Sequence, residues 1–210
     1  DDSINGLHTT LQYPVKYGYA IVGNVLETGK YVKNIQKNDT VFAFHPHESH
    51  FVESEENLIK VPPDISPTDA VFIPNMETAV NFIMDGKPLI GESAAVFGQG
   101  IVGLLTTAIL SKFPLSNITT FDLYGQRREL SLKLGAMRSK HPVEHDDSPH
   151  EFDLLFELSG NPEALNIVLQ YCGFQSRIIV GSWYGSKESS IQLGDIFHRN
   201  RLQITSSQVS

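Results

Sequence analysis

Apolar and polar positions follow two rhythms along this chain, and the change falls near residue 86. Before it, apolar runs are short: Tyr19-Ala-Ile-Val22, Val25-Leu26, Val41-Phe-Ala-Phe44 and Leu58-Ile-Lys-Val61. Gly23, Asn38-Asp39 and Pro62-Pro63 punctuate them, a spacing that predicts strands of a small barrel. A helix is predicted to open at Pro67 behind the capping hydroxyl of Ser66. It runs to about Met84 with a kink at Pro74, and Asp85-Gly-Lys-Pro88 ends it. Beyond that point, strand-like and helix-like runs alternate. Strands are predicted at 93–97, 117–121, 152–156, 177–180 and 202–206. Helices are predicted at 101–113, at 126–134 with Gly135 past its end, and at 162–171 behind Asn161. Such alternation predicts a parallel sheet covered on both faces, with ligands at the carboxyl ends of its strands.

One turn in that alternation carries specific chemistry. Gly98-Gln99-Gly100-Ile101-Val102-Gly103 joins an apolar strand to an apolar helix, and the next strand ends in Asp122. Strand, glycine turn, helix, strand and acid is the order of a dinucleotide site. Gly98 permits the tight turn, Gly100 leaves room for a pyrophosphate, and Gly103 lets helix and strand approach. The helix start offers amide donors and a partial positive charge to the phosphates. Asp122 follows at roughly the twenty-residue spacing of an acid that binds the adenosine ribose. Its carboxylate favours NAD over NADP, because it would repel a 2′-phosphate; NADP stays open through Arg127 and Arg128, which otherwise belong to a solvated helix start.

Composition narrows the field. The 210 residues suffice for one large domain or two small ones, and 40% hydrophobic with 19% charged residues describes an ordinary globular chain. A net charge of −8 argues against nucleic acid or an anionic membrane as partner. No run approaches the roughly 18 to 20 apolar residues of a membrane span. Cys172 is the single cysteine, which excludes an internal disulfide and a cysteine-rich zinc site. The chain starts Asp-Asp-Ser-Ile-Asn, without an initiator Met or the regions of a signal peptide, so a fragment in a cytoplasmic setting is expected.

Several stretches together resemble the medium-chain dehydrogenase/reductase superfamily, that of the zinc alcohol dehydrogenases. They are residues 17–29, the turn around Asp39-Thr-Val41, residues 94–110, Asp122 to Ala136, Glu157 to Leu165, and Arg177 to Gly185. The resemblance covers nearly the whole chain. It implies an α/β fold: a partial GroES-like barrel domain with its connecting helix at 1–86, then a Rossmann doubly wound parallel sheet at 87–210. The family's first barrel strands and its C-terminal return would be missing. It implies cofactor contacts from Ser159, Gly160, Val180, Ser182 and Ser207 besides the glycine turn, Asp122 and Arg127, with Ser206 and Gln208 near the nicotinamide. It also implies a small-molecule substrate and pairing into a homodimer.

The departures from that family bear on mechanism. Zinc members carry a metal-binding His in a Gly-His-Glu motif; here those positions read Gly18-Tyr19-Ala20. Phenol and methyl do not replace imidazole and carboxylate as zinc ligands. The second ligand position falls on Pro74 or Met76 with Glu77 nearby, and the four-cysteine lobe is replaced by the loop at 42–51. A zinc-free relative is expected, with no metal residues assigned. A rival metal reading rests on His45, His47 and His50, three imidazoles in one loop, against a plain polar turn. Tyr19, His47 and Thr78 are the donors available to polarise a carbonyl; Tyr19 comes first, since it occupies the ligand position, though it can equally fill space. Trp183-Tyr184 offers flat apolar area for a ring-like substrate or for packing, and His198 to Arg201 reads as a basic solvated turn.

Three functional classes follow. The first is an NAD(P)-dependent oxidoreductase moving hydride between nicotinamide and an alcohol/carbonyl pair, without catalytic zinc. The second is an enoyl or quinone reductase of the same superfamily, and the third a non-catalytic dinucleotide-binding redox sensor. Turnover and metal content discriminate them.

Overall fold

The structure, a computed structural model, describes residues 16–143 and 151–209. The chain forms two compact units that divide between Pro74 and Asn75.

In the first unit, β1 (Ile21–Asn24), β2 (Thr40–Ala43) and β3 (Leu58–Lys60) form an antiparallel sheet in that order. Phe42, Val61 and Ala70 make its small core, with Ala20, Val22 and Ile73 packed alongside. The expected strand at Val25-Leu26 does not form. Val25 keeps a backbone pair with the Asn38-Asp39 turn, and Leu26 is exposed. Helix α1 (Pro67–Ala70) is capped as predicted: the Ser66 hydroxyl accepts the Asp69 amide at 3.1 Å. The chain then breaks rather than kinks, and α2 (Ile73–Gly86) starts afresh. Pro74 explains the break. It has no N–H for the Ala70 carbonyl four residues back, and its ring would crowd that carbonyl. In the first turn of a new helix the same proline is well tolerated.

The second unit is the alternating one. It contains β4 (Ser93–Phe97), α3 (Ile101–Leu110), β5 (Asn117–Phe121), α4 (Gly125–Lys133), β6 (Arg138–Lys140), β7 (Phe152–Glu157), α5 (Ala164–Gln170), β8 (Cys172–Val180), α6 (Ile196–Arg199) and β9 (Gln203–Ser206). All six strands run parallel in the order β6-β5-β4-β7-β8-β9. The chain winds outward from β4 to β6, then returns to β7 on the other side of β4. The direction therefore reverses between β4 and β7, where open α/β sheets place their ligands.

Period-two alternation decides which side chains face which layer. Ala94, Val96, Ile118, Leu154, Phe156 and Ile179 bury one sheet face with Leu110 of α3 and Phe82 and Ile83 of α2. Ala95, Phe97, Phe121, Leu155 and Ile178 bury the other with Leu165, Val168 and Leu169 of α5. Helix α2 thus packs with the sheet unit, although its first two residues belong to the other.

Local differences from the predicted elements have physical causes. Helix α3 stops at Leu110 because Lys112 and Phe113 pair three residues back, tightening the last turn. Helix α5 starts at Ala164: Asn161 spends its side chain on the Glu163 amide, and its carbonyl accepts Ala164 in a tight turn. Strand β8 begins earlier than expected, with an irregular register between Phe152 and Leu154 of β7. Strand β6 reads Arg-Ser-Lys and carries no apolar signal; it exists because β5 offers it an edge. The basic turn at 198–201 includes the end of α6.

Candidate functional site

The reversal crevice is built of backbone. Gly98, directly after β4, has φ 91°, a conformation L side chains avoid. Its amide donates to the Phe121 carbonyl at 2.8 Å. A Cβ there would sit 2.5 Å from the Leu158 carbonyl oxygen, so only glycine lets the ends of β4 and β7 come together. A Cβ on Gly103 would lie 1.9 Å from the Gly98 carbonyl oxygen, which fixes how closely α3 approaches the turn. Gly100 differs. It is the N-cap of α3, and no heavy atom lies within 4 Å of a Cβ placed on it. The first-turn amides of α3 lack helical partners by geometry and carry the positive end of the helix dipole. Open ground at this point fits a pyrophosphate. Ile101, half exposed, and Val102, partly buried, form the first turn itself.

Gln99 is fully buried, and its side chain points inward. Its amide nitrogen donates to the Val96 and Gly98 carbonyls, and its oxygen accepts the Thr107 hydroxyl at 3.1 Å. Only its backbone N–H serves the site, donating to Asp122 Oδ2 at 2.7 Å. Asp122, 6% exposed at the end of β5, also accepts the Tyr124 amide at 2.8 Å on Oδ1. Arg127 lies 3.7 Å from Oδ2, with its guanidinium over the Tyr124 ring. Arg128 is spent on the Asp122 and Leu123 carbonyls.

Across the crevice, Glu157 ends β7 and is fully buried. It carries no role in the sequence-based assignment. A charged residue closing the apolar strand Phe152-Asp-Leu-Leu-Phe156, at a sheet's carboxyl edge, was the available signal. One carboxylate oxygen accepts the Ser159 amide at 2.8 Å and the Ser159 hydroxyl; the other accepts the Tyr184 hydroxyl. Burial, then the neighbouring Glu157 carboxylate, pushes the Tyr184 phenol well above its ordinary range, so it stays a donor. The Ser182 hydroxyl accepts the Gly160 amide at 2.8 Å and donates to the Glu157 carbonyl. Val180, partly buried, ends β8 beside Ser206 of β9. The Ser207 amide pairs with the Val180 carbonyl, and its hydroxyl is turned to Asp85 of α2 at 2.6 Å.

The glycine turn, Asp122, Arg127, Ser159, Gly160, Val180, Ser182 and Ser207 thus converge on one sheet edge. The other candidates do not form one described constellation. Tyr19 and His47 are exposed in the first unit, where the His47 ring abuts Gly18. Thr78 is partly buried on α2, in the second. The three loop imidazoles diverge: His45 stacks on Phe51 at 4.0 Å, and His50 contacts Ser49. Among the described residues, no group of three His, Cys, Asp or Glu is placed to hold a metal. A cleft of about 510 Å³ in the first unit is lined by Val22, Val25, Val32, Ile35, Val41 and Phe51, among others; its lining includes His50 but not Tyr19, His45 or His47.

No family model matches the chain. The (R,R)-butanediol dehydrogenase of Bacillus subtilis is 27% identical over 90% of the chain, which spans 64% of that protein's length. Among solved structures, a zinc-binding dehydrogenase of Sinorhizobium meliloti bound to NADP superposes with TM-score 0.75 at 15% identity, covering 89% of this chain and 66% of that one. An alcohol dehydrogenase of Escherichia coli complexed with NADH gives TM-score 0.74 at 17% identity, over 89% and 66%. The chain is thus similar in sequence to that butanediol dehydrogenase and shares the fold of these solved dehydrogenases.

Proposed function

We propose that this chain is the dinucleotide-binding part and part of the substrate domain of an NAD(P)-dependent medium-chain oxidoreductase, acting on an alcohol/carbonyl pair. The observation that carries the reading is the pairing of open ground at Gly100 with the buried Asp122 carboxylate, on either side of a closed glycine turn. Gly100 and the start of α3 would hold the pyrophosphate; Asp122 and Arg127 would hold the adenosine ribose. A nicotinamide, when bound, supplies or accepts the hydride. The protein's part is to orient the two reactants and polarise the carbonyl. A small-molecule substrate and a cytoplasmic setting complete the proposal.

NAD is favoured over NADP. Both Asp122 oxygens already accept one amide each, at 2.7 and 2.8 Å, and retain a lone pair for a ribose hydroxyl. A 2′-phosphate would meet that carboxylate. Asp122→Ala is expected to weaken NAD binding about tenfold or more, the loss of a charge-assisted hydrogen bond, while leaving NADP binding nearly unchanged. Calorimetric titration with both nucleotides checks this; an equal loss for both would remove the ribose role.

The donor set does not fit zinc where the homologous enzymes bind it, since Gly18-Tyr19-Ala20 offers no imidazole or carboxylate. We therefore assign the electrophile to a protein hydrogen-bond donor, the Tyr19 hydroxyl first, then the His47 imidazole or the Thr78 hydroxyl. Tyr19→Phe in the intact protein should lower turnover about a hundredfold and leave NAD affinity unchanged. Unaltered turnover would pass the role to His47 or Thr78.

A further inference from the structure

The sheet edge that would receive the second half of a dinucleotide is closed by a hydrogen-bonded ring centred on one carboxylate. Dinucleotides lie across the reversal crevice. With adenosine placed over β5 by Asp122, the other half falls over the ends of β7 and β8. Those ends carry two loops, residues 158–160 and 181–185. Neither loop is regular structure, and Gly160 and Gly185 adopt positive φ.

The loops are tied together at three points. The Glu157 carboxylate holds Ser159 of one loop through two donors and Tyr184 of the other through one. The Ser182 hydroxyl bridges back, accepting the Gly160 amide and donating to the Glu157 carbonyl. The Gly181 amide donates to the same carbonyl at 3.0 Å. A fully buried carboxylate is costly unless its acceptor capacity is met, so these donors are held to it tightly. Tyr184 reaches it from the start of the long segment between β8 and α6. Its phenol is the one side-chain donor to that carboxylate from the 181–185 loop among the described residues.

We propose that Glu157 and Tyr184 form a latch that presets the Gly160 and Ser182 loops for the nicotinamide half of the cofactor. Both are positioning residues; the proposal rests on the dinucleotide reading above. The latch separates two kinds of binding energy. Contacts to adenosine depend on Asp122 and the glycine turn, at the other side of the crevice. Contacts to nicotinamide depend on loops whose geometry the latch sets. Removing the phenol oxygen should therefore harm one half of the ligand and spare the other.

The chain's single tryptophan, Trp183, adjoins Tyr184 and is 58% exposed, so its fluorescence reports the loop directly. Tyr184→Phe and Glu157→Gln should be titrated with NADH and with ADP-ribose, which lacks the nicotinamide, and acrylamide quenching of Trp183 measured without ligand. Tyr184→Phe is expected to weaken NADH about tenfold, one charge-assisted hydrogen bond, while ADP-ribose affinity stays the same. Trp183 quenching should rise in the unliganded variant. Glu157→Gln, which keeps the shape but turns one acceptor into a donor, should show the same selective loss. If Tyr184→Phe weakens both ligands alike, or leaves NADH affinity and quenching untouched, the latch is refuted while the dinucleotide assignment stands. If wild-type protein binds neither ligand, the dinucleotide assignment falls and the latch's purpose with it.

Discussion

Gly103→Ala should destabilise the sheet unit by about 3 kcal/mol or more, at the upper end of what overpacking costs. The methyl group would sit 1.9 Å from the Gly98 carbonyl oxygen, and no flexible side chain is there to give way. Backbone must move on one side or the other. If α3 lifts, Leu110 leaves its place among Val96, Ile118 and Leu154; if the turn shifts, Gly98 loses its fit against Leu158. Against a total stability of about 5–15 kcal/mol, a loss of that size lowers Tm by roughly 6–12 °C. Gly100→Ala is the control. It makes the same chemical change three residues earlier, into open space, so its Tm should stay near that of the wild type. NAD affinity should fall in Gly100→Ala, because the methyl occupies the ground a pyrophosphate needs. Thermal melts and nucleotide titrations of the two variants check both claims. Equal Tm losses would mean that Gly103 is not the contact that sets helix against turn.

Arg177→Met should cost about 2–3 kcal/mol, and the cost should shrink in acid. The guanidinium meets Glu92 in two parallel bonds of 2.9 Å each and also donates to the Gly86 carbonyl. It joins the start of the regular part of β8 to the turn that follows α2, at the sheet edge opposite the glycine turn. Both side chains are largely shielded, at 26% and 13% exposed, so screening is limited. Partial burial pushes the Glu92 carboxyl up, but the Arg177 guanidinium and the Leu89 amide together outweigh it and hold the carboxyl below its ordinary range. A carboxyl depressed in the folded state adds stability above its unfolded pKa, and that stability is lost as pH falls through the folded value. The gap in urea midpoint between wild type and Arg177→Met should therefore be widest near pH 7 and narrow as the pH falls below the ordinary carboxylate range. A gap independent of pH would mean that the methionine fails for packing reasons, not for loss of the ion pair.

How much of this was legible beforehand follows from what kind of force wrote each feature. The parallel sheet was, because apolar runs that alternate between strand and helix, and the glycines that punctuate them, are local signals. Ser93 to Phe97 and Asn117 to Phe121 form strands where they were expected. Strand β6 was hidden, because Arg138-Ser-Lys140 pairs only through a neighbour distant in sequence. The break before α2 was misplaced, since a proline acts on the carbonyl four residues back and not at its own position. At the site, glycines were readable because steric need leaves no alternative residue. Gln99 shows the limit: its place in the motif was visible, but not that its side chain turns inward to Thr107. Glu157 stood out only as a charge closing an apolar strand, and its role was hidden for the same reason. Its partners, Ser159 and Tyr184, meet it only after β7 and β8 pair.

The inward turn of Gln99 bears on how quickly a ligand could settle. The amide is sealed beneath the loop, bonded at both ends before anything arrives. Its main-chain hydrogen already grips Asp122. Few torsions are left to freeze on docking at this corner, so little ordering entropy opposes association there. Nucleotide capture would then begin on the rigid adenosine side.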